Sequence, residues 1–396
     1  MGDVFIFDAV RTPRGKGKPD GALAKVPPHE LVAALVNALR ERLGSEAVEG
    51  ARRLLLGCVG QVGPQGGNIA LVSRLFADLP NEMVAASINN YCVSALTAIG
   101  SAAASVAAEG GLALAGGVES MSQVPFLGDG ASYYAEPLAT DLRFVPVALA
   151  ADLLATEADV GREELDAVSV ESHRRAKEAW DANRFARAVV PVRDQTGTVV
   201  LSRDELVRST LTTEAAAALP PAFAELGAKG YDDRILAALS TLERIEHRHS
   251  VANCPGIADG AGLVVLGGPD AAPAPRARIR AFAEASTDPI RQLTAGRAAM
   301  LQALARAGMA LEDIEIIEFM EAFAVVPALF YREANVRPDR VNVDGGHLAM
   351  GHPMGASGAI LVSQLIDVME RSDAGIGMAV AHGGAGVGAA IILERA

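Results

Sequence analysis

Three short segments of this chain place reactive side chains where a turn meets a strand or a helix. "NNYCVSALTAIG" sets Cys92 between an apolar, strand-like run and a helix beginning near Ser94. A thiol at that point lies near oriented backbone N–H groups, which favour the thiolate and make it nucleophilic. "GHPMGASG" (351–358) carries His352 on a strand-to-helix loop shaped by Pro353 and Gly355. "AVAHGGAGVGAAIILE" (379–394) carries His382 where an apolar run gives way to a glycine-rich turn. A cysteine and a histidine brought together form a nucleophile and its base.

An internal repeat supplies the means of bringing them together. "DVFIFDAVRTP" (3–13) and "ARIRAFAEAST" (277–287) both read as a strand running into a loop. Amphipathic helices ending at glycine follow at 29–44 and 296–308, and 51–61 then parallels 312–324. The stretch 83–120 parallels 341–386, each a strand, a turn, a small-residue helix and an apolar strand closing on Gly-Gly. Alternating strands and helices predict mainly parallel sheets covered by helices. Two pseudo-symmetric halves would set the Cys92 and His352 loops face to face, with His382 at the repeat position matching Gly116. The expected organisation is a first half at 1–120 completed by 251–270, a loop domain at 121–250 and a second half at 271–396. Long insertions into an α/β scaffold carry ligand contacts, and this one holds most of the tyrosines.

Bulk properties exclude several classes of function. The net charge of −13, from 35 Lys and Arg against 48 Asp and Glu, disfavours nucleic acid or an anionic membrane as the main partner. Cys58, Cys92 and Cys254 share no metal-ligand spacing, which points to a reducing compartment and no metal. The start "MGDVFIFDAVRTP" lacks a basic segment ahead of its apolar residues, and "VSALTAIGSAAASVAA" reads as too short for a membrane span. A cytoplasmic protein without a membrane segment is expected.

With these segments in order, the chain resembles the thiolase family, the acyl-CoA acyltransferases, over essentially its whole length. "NNYCVSA" resembles the nucleophile segment and "GHPMGASG" the catalytic-histidine segment. "GGVESMS", "ESHRRAKEAWDANRF" and "MEAFA" resemble further family segments in sequence. The resemblance implies an α/β thiolase-like fold, two βαβαβαββ halves in five layers with a loop domain, assembled as a homodimer or homotetramer. It implies an acyl-Cys92 intermediate, with His352 activating the thiol and supporting the thioester oxygen. The N–H groups of Cys92 and Gly384 would form the oxyanion hole. Coenzyme A thioesters would be substrates, with no permanently bound cofactor, and the reaction 3-ketoacyl-CoA thiolysis or the reverse Claisen condensation.

Two positions depart from the family pattern. His382 stands where a second cysteine is usual, and Met320 where Asn or His precedes Glu-Ala-Phe. Imidazole, with a reference pKa of about 6.5 against about 8.5 for a thiol, would favour proton removal at the substrate's α-carbon. Met320 offers no hydrogen-bond donor, so it is either core filler or part of an altered acyl pocket. Pro255 replaces a usual serine near the pantetheine arm. These departures keep open a non-catalytic or partner-dependent subunit, and an acyl-CoA hydrolase. Cys58 reads as core, Cys254 as structural, and His247 and His249 as surface residues. Arg174, Arg175 and Arg248 read as a solvated face with some prospect of meeting coenzyme A phosphates.

Overall fold

The computed structural model describes residues 2–239, 241–272, 274–334 and 336–396. In the first half, strands β1 (Phe5–Arg11), β2 (Ala51–Gly57), β3 (Val84–Ile88) and β4 (Leu112–Ser120) alternate with helices α1 (Pro28–Leu43), α2 (Ile69–Phe76) and α3 (Ser94–Glu109). After an insertion holding α4 (Val147–Glu157) and α5 (Arg162–Asp181), strand β5 (Ala258–Gly267) runs antiparallel between β1 and β4. The second half repeats the pattern with β6 (Ala277–Ser286), α6 (Ala295–Ala307), β7 (Ile316–Phe319), α7 (Val325–Ala334), α8 (Ser357–Ser372), β8 (Ile376–Gly383) and β9 (Val387–Arg395).

The strand order is β7-β8-β9-β6-β1-β5-β4-β2-β3, so the halves mirror each other about the short β1–β6 pairing. The counterpart of β3 in the second half shrinks to a single parallel bridge between Ile317 and Val341. The sheet is mixed rather than mainly parallel. Only β2–β3, β2–β4 and β7–β8 are parallel pairs among these strands, because β5 and β9 each return antiparallel into the middle of their half. A strand that closes a half after its last helix needs no crossover, so strand–helix alternation does not specify its direction.

Helices α3 and α8 fill the space between the half-sheets, while α1 with α2 and α6 with α7 cover the outer faces. The central pair is built from small residues so that the backbones meet closely. A Cβ at Gly358 would lie 2.6 Å from the Leu96 nitrogen. Every residue of α8 from Ser357 to Met369 is buried. The helical run Tyr91–Glu109 is long and apolar enough by composition to cross a membrane, longer than the sequence reading allows. It is the packed core helix α3 extended by the Cys92 turn.

In the insertion, His249 and His247 are not surface residues. Asp152, fully buried in α4, accepts from the His249 backbone N–H at 3.0 Å. Its two carboxylate oxygens also sit 2.7 Å from the His249 Nδ1 and 2.9 Å from the His247 Nδ1. A polar stretch looks solvent-facing in sequence; here a single buried carboxylate recruits it inward. Arg174 and Arg175 pair with Glu171, and Arg248 with Glu246 and Asp159, so each is engaged within the chain.

Candidate active site

The loop between β3 and α3 turns at Tyr91, whose φ is 47°, and delivers Cys92 to the amino-terminal end of α3. The backbone N–H groups of Gly384 and of Cys92 itself favour the charged sulfur. Burial nevertheless outweighs them and pushes the thiol up to about 12. The resting group is a neutral thiol, so the helix end does not by itself yield a thiolate and a base is required.

His352 is held at several points. Its backbone N–H donates to the Gly256 carbonyl at 2.8 Å, and its Nδ1 lies 2.8 Å from the Ser357 hydroxyl. Nε2 has no protein partner. Burial lowers His352 to about 3, and the nearby His382 and Arg14 push the same way, so the imidazole is neutral. Cys92 and His352 line one cavity of about 530 Å³, together with Gly383, Gly384 and Met354. The arrangement is a neutral thiol and a neutral base with a free ring nitrogen on the wall of one cavity.

Two buried charges clamp the His352 loop, and sequence reasoning did not single out either. Arg14 donates to the Gly351 carbonyl at 2.9 Å and to the Gln364 Oε1 at 2.6 Å. Its backbone N–H is held by Asp204, which also takes a bidentate pair from Arg11 at 2.8 and 2.9 Å. Glu119, at the end of β4, accepts from the N–H groups of Val59, Gly60 and Gly355 at 2.9, 3.0 and 3.0 Å, and from the Gln65 amide at 2.8 Å. One carboxylate thereby ties the loop after β2 to the histidine loop of the other half. The signal was present as a charged residue closing the otherwise uncharged strand "LALAGGVES".

Glu119→Gln keeps a single acceptor oxygen and turns an added donor toward existing donors. We expect a loss of about 2–4 kcal/mol in chemical denaturation and a fall in kcat of about tenfold or more from a displaced His352. Wild-type stability and rate in that variant would show that the clamp is dispensable.

Comparisons with known proteins give the family. Residues 4–229 match the model described as "Thiolase, N-terminal domain", and residues 273–395 match "Thiolase, C-terminal domain". The chain belongs to the thiolase family. It is 34% identical to the beta-ketoadipyl-CoA thiolase of Pseudomonas putida, over 100% of both chains. It is 35% identical to a 3-ketoacyl-CoA thiolase of Acinetobacter baylyi, covering 99% of this chain and 98% of that one. Among solved structures, human mitochondrial 3-ketoacyl-CoA thiolase superposes with a TM-score of 0.86 at 27% identity, covering 100% of this chain and 99% of that one. The Bacillus anthracis acetyl-CoA acetyltransferase superposes at 0.85 and 28% identity, with the same coverage.

Within this thiolase-family fold, His382 is not where the sequence reading puts it. Along β8, Ala379 and Ala381 face the central helices, while Met378 and Val380 face outward. His382 follows the outward set. Its ring is fully buried, centred 5.5 Å from that of Phe319, and a Cβ at Gly296 of α6 would lie 2.7 Å from its Nδ1. The residue facing Cys92 is Gly383, where a Cβ would lie 3.0 Å from the Cys92 nitrogen. Proton exchange with substrate by His382 is therefore not supported by this geometry, because side chains alternate along a strand and the ring takes the other face.

Met320 is fully buried in the central core, and Ala322 and Phe323 of the same segment line the cavity instead. Of its two readings, core packing is the one this placement supports. Pro255 and Cys254 both line the cavity, so Cys254 is wall as well as structure. Its thiol contacts the Ser250 carbonyl at 3.3 Å, and burial pushes it up. Cys58 is fully buried beside Glu119. Among the described residues, no group of three or more His, Cys, Asp or Glu side chains is arranged to hold a metal ion.

Proposed function

We propose that this thiolase-family chain transfers acyl groups between coenzyme A thioesters through an acyl-Cys92 intermediate, by 3-ketoacyl-CoA thiolysis or the reverse Claisen condensation. One observation carries the reading: Cys92 and His352 line the same cavity, with Gly384 in its wall. In thiolysis, the Cys92 proton passes to His352 Nε2 as the sulfur attacks the 3-keto carbonyl. The N–H groups of Cys92 and Gly384 hold the charge that develops on oxygen. The bond between C2 and C3 then breaks, and its electron pair leaves on the α-carbon of the acetyl thioester. With Gly383 in the wall and His382 behind the strand, His352 returns the proton to that carbon. A coenzyme A thiol next attacks the acyl-Cys92 carbonyl, and His352 again takes the thiol proton, now returned to Cys92.

His382 and Met320 were the reasons for a non-catalytic subunit, and both lie outside the cavity wall. Assembly as a homodimer or homotetramer belongs to the same proposal, supported by the exposed Leu75, Phe76 and Val84 at the β3 side of the sheet. The cytoplasm is its expected location. The test is incubation with acetyl-CoA followed by intact mass and peptide mapping. An acetyl adduct confined to the Cys92 peptide and lost in Cys92→Ser is expected. An adduct elsewhere, or none, refutes the acyl-enzyme.

A further inference from the structure

The wall of the Cys92 cavity is unlike the rest of the chain. Aromatic residues make up only 4% of the sequence, yet four of its five tyrosines, Tyr91, Tyr133, Tyr134 and Tyr231, line this cavity or the narrow branch that opens beside Cys92. A core built from Ala, Val, Leu and Ile does not need its rings there, so their concentration belongs to the site and not to packing in general. Phe144 stands at the centre of the group. Its ring lies 5.0 Å from that of Tyr133 at 75°, 5.2 Å from that of Tyr134 at 52°, and 6.5 Å from that of Tyr231 at 81°. Tilted and edge-on rings of this kind leave faces and edges open to a further ring.

Charge in the wall points the same way. Among the described lining residues the only formally charged side chain is Asp129, and it is acidic. Arg234, outside the lining, stacks over Tyr231 at 5.3 Å. It is committed to Glu136 at 2.8 Å and to the Phe144 carbonyl at 2.7 Å. A carboxylate at the far end of an acyl group would leave water for a lining that carries no cation and one like charge, which is costly.

We propose that this site selects uncharged, ring-bearing acyl groups and rejects acyl groups that end in a carboxylate, with the aromatic wall around Phe144 and the acidic Asp129 as its determinants. The inference rests on the acyl-transfer reading above and names the substrate class for it. Hydrophobic pockets discriminate weakly between apolar groups of similar size. Rejection of the charged tail is therefore the larger effect, and preference for a ring over a linear chain the smaller.

The experiment compares thiolysis of four thioesters by the purified full chain: acetoacetyl-CoA, 3-ketooctanoyl-CoA, 3-keto-5-phenylpentanoyl-CoA and 3-ketoadipyl-CoA. The expected kcat/KM for the phenyl substrate exceeds that for 3-ketoadipyl-CoA by about 100-fold, the scale of an unpaired charge. It exceeds that for 3-ketooctanoyl-CoA by about threefold, the scale of one ring–ring contact. Phe144→Ala is expected to erase the second ratio. In parallel, calorimetry on the Cys92→Ala protein compares 4-phenylbutanoyl-CoA with adipoyl-CoA, with adipoyl binding weaker by about tenfold or more. Equal or faster turnover of 3-ketoadipyl-CoA overturns the inference while leaving acyl transfer intact. If no thioester acylates Cys92 the proposed reaction fails, and the calorimetric ratio alone decides the selectivity, equal affinities overturning it.

Discussion

His352→Asn lowers thiolysis at pH 7 by about 10²–10⁴-fold, the usual contribution of a positioned general base, and makes the remaining rate strongly pH-dependent. The reason lies in the nucleophile. A thiol held up at about 12 by burial is neutral at pH 7; without a base its thiolate fraction is about 10⁻⁵. Each pH unit then raises that fraction about tenfold, so the variant's rate should climb along a line of unit slope from pH 6 to 9. The wild type behaves differently. His352, lowered to about 3, stays neutral and competent throughout that range. The wild-type rate should therefore show no ionisation near the ordinary histidine value of about 6.5. Stopped-flow thiolysis from pH 5 to 9 checks both curves. A variant whose rate ignores pH, or a wild type with an inflection near neutrality, would sink the neutral thiol–imidazole pair.

His382→Leu is expected to change acid stability rather than rate. Neither ring nitrogen has a protein partner, and burial lowers His382 to about 4 despite the opposing Met320 carbonyl. Between an unfolded value of about 6.5 and that folded value, only the unfolded chain binds the proton. The stability attached to this ring is thus complete above about pH 6.5 and is lost as pH falls toward 4. Within the window the slope is about 1.4 kcal/mol per pH unit, so pH 5 costs about 2 kcal/mol. Leucine removes the titration and leaves no buried ring nitrogen unpaired. Denaturant midpoints of wild type and variant should diverge steadily from pH 7 to pH 5, the variant being the more stable. His173 and His352, lowered to about 4 and about 3 by burial, leave the variant some acid lability of its own. A folded variant that has lost turnover would show that this ring reaches the substrate after all.

Much of the site was legible because it is local. Cys92 and His352 announce themselves by loop chemistry on either side of a helix start, and the repeat places those loops opposite each other. What failed was a matter of a single residue. In "AHGGAG", His382 and Gly383 are neighbours, and no feature of the string says which of them faces the nucleophile. That is a question of strand parity, settled by Gly296 making room for a ring on the outer face, while Gly388 lets α6 come close to the sheet. The direction of β5 and β9 was hidden for a related reason, since strand propensity does not specify the neighbour. Glu119 and Arg14 were overlooked because each reaches the histidine loop through backbone groups, Gly355 N–H and the Gly351 carbonyl, which have no residue type to recognise. His249 read as exposed because the carboxylate that buries it lies on a helix about a hundred residues earlier.

The Arg14 clamp has a consequence for how the molecule comes into being. Its partner carbonyl, on Gly351, lies 337 positions further along the chain. At about 5–20 residues per second, a ribosome takes tens of seconds to span that interval. The segment after the first strand therefore waits beside an unfinished partner, and β9 enters the middle of its half-sheet later still. Nascent chains carry the nucleophile for most of that time without the base that makes it useful. The nucleophile and its base come together only once the second half has been made.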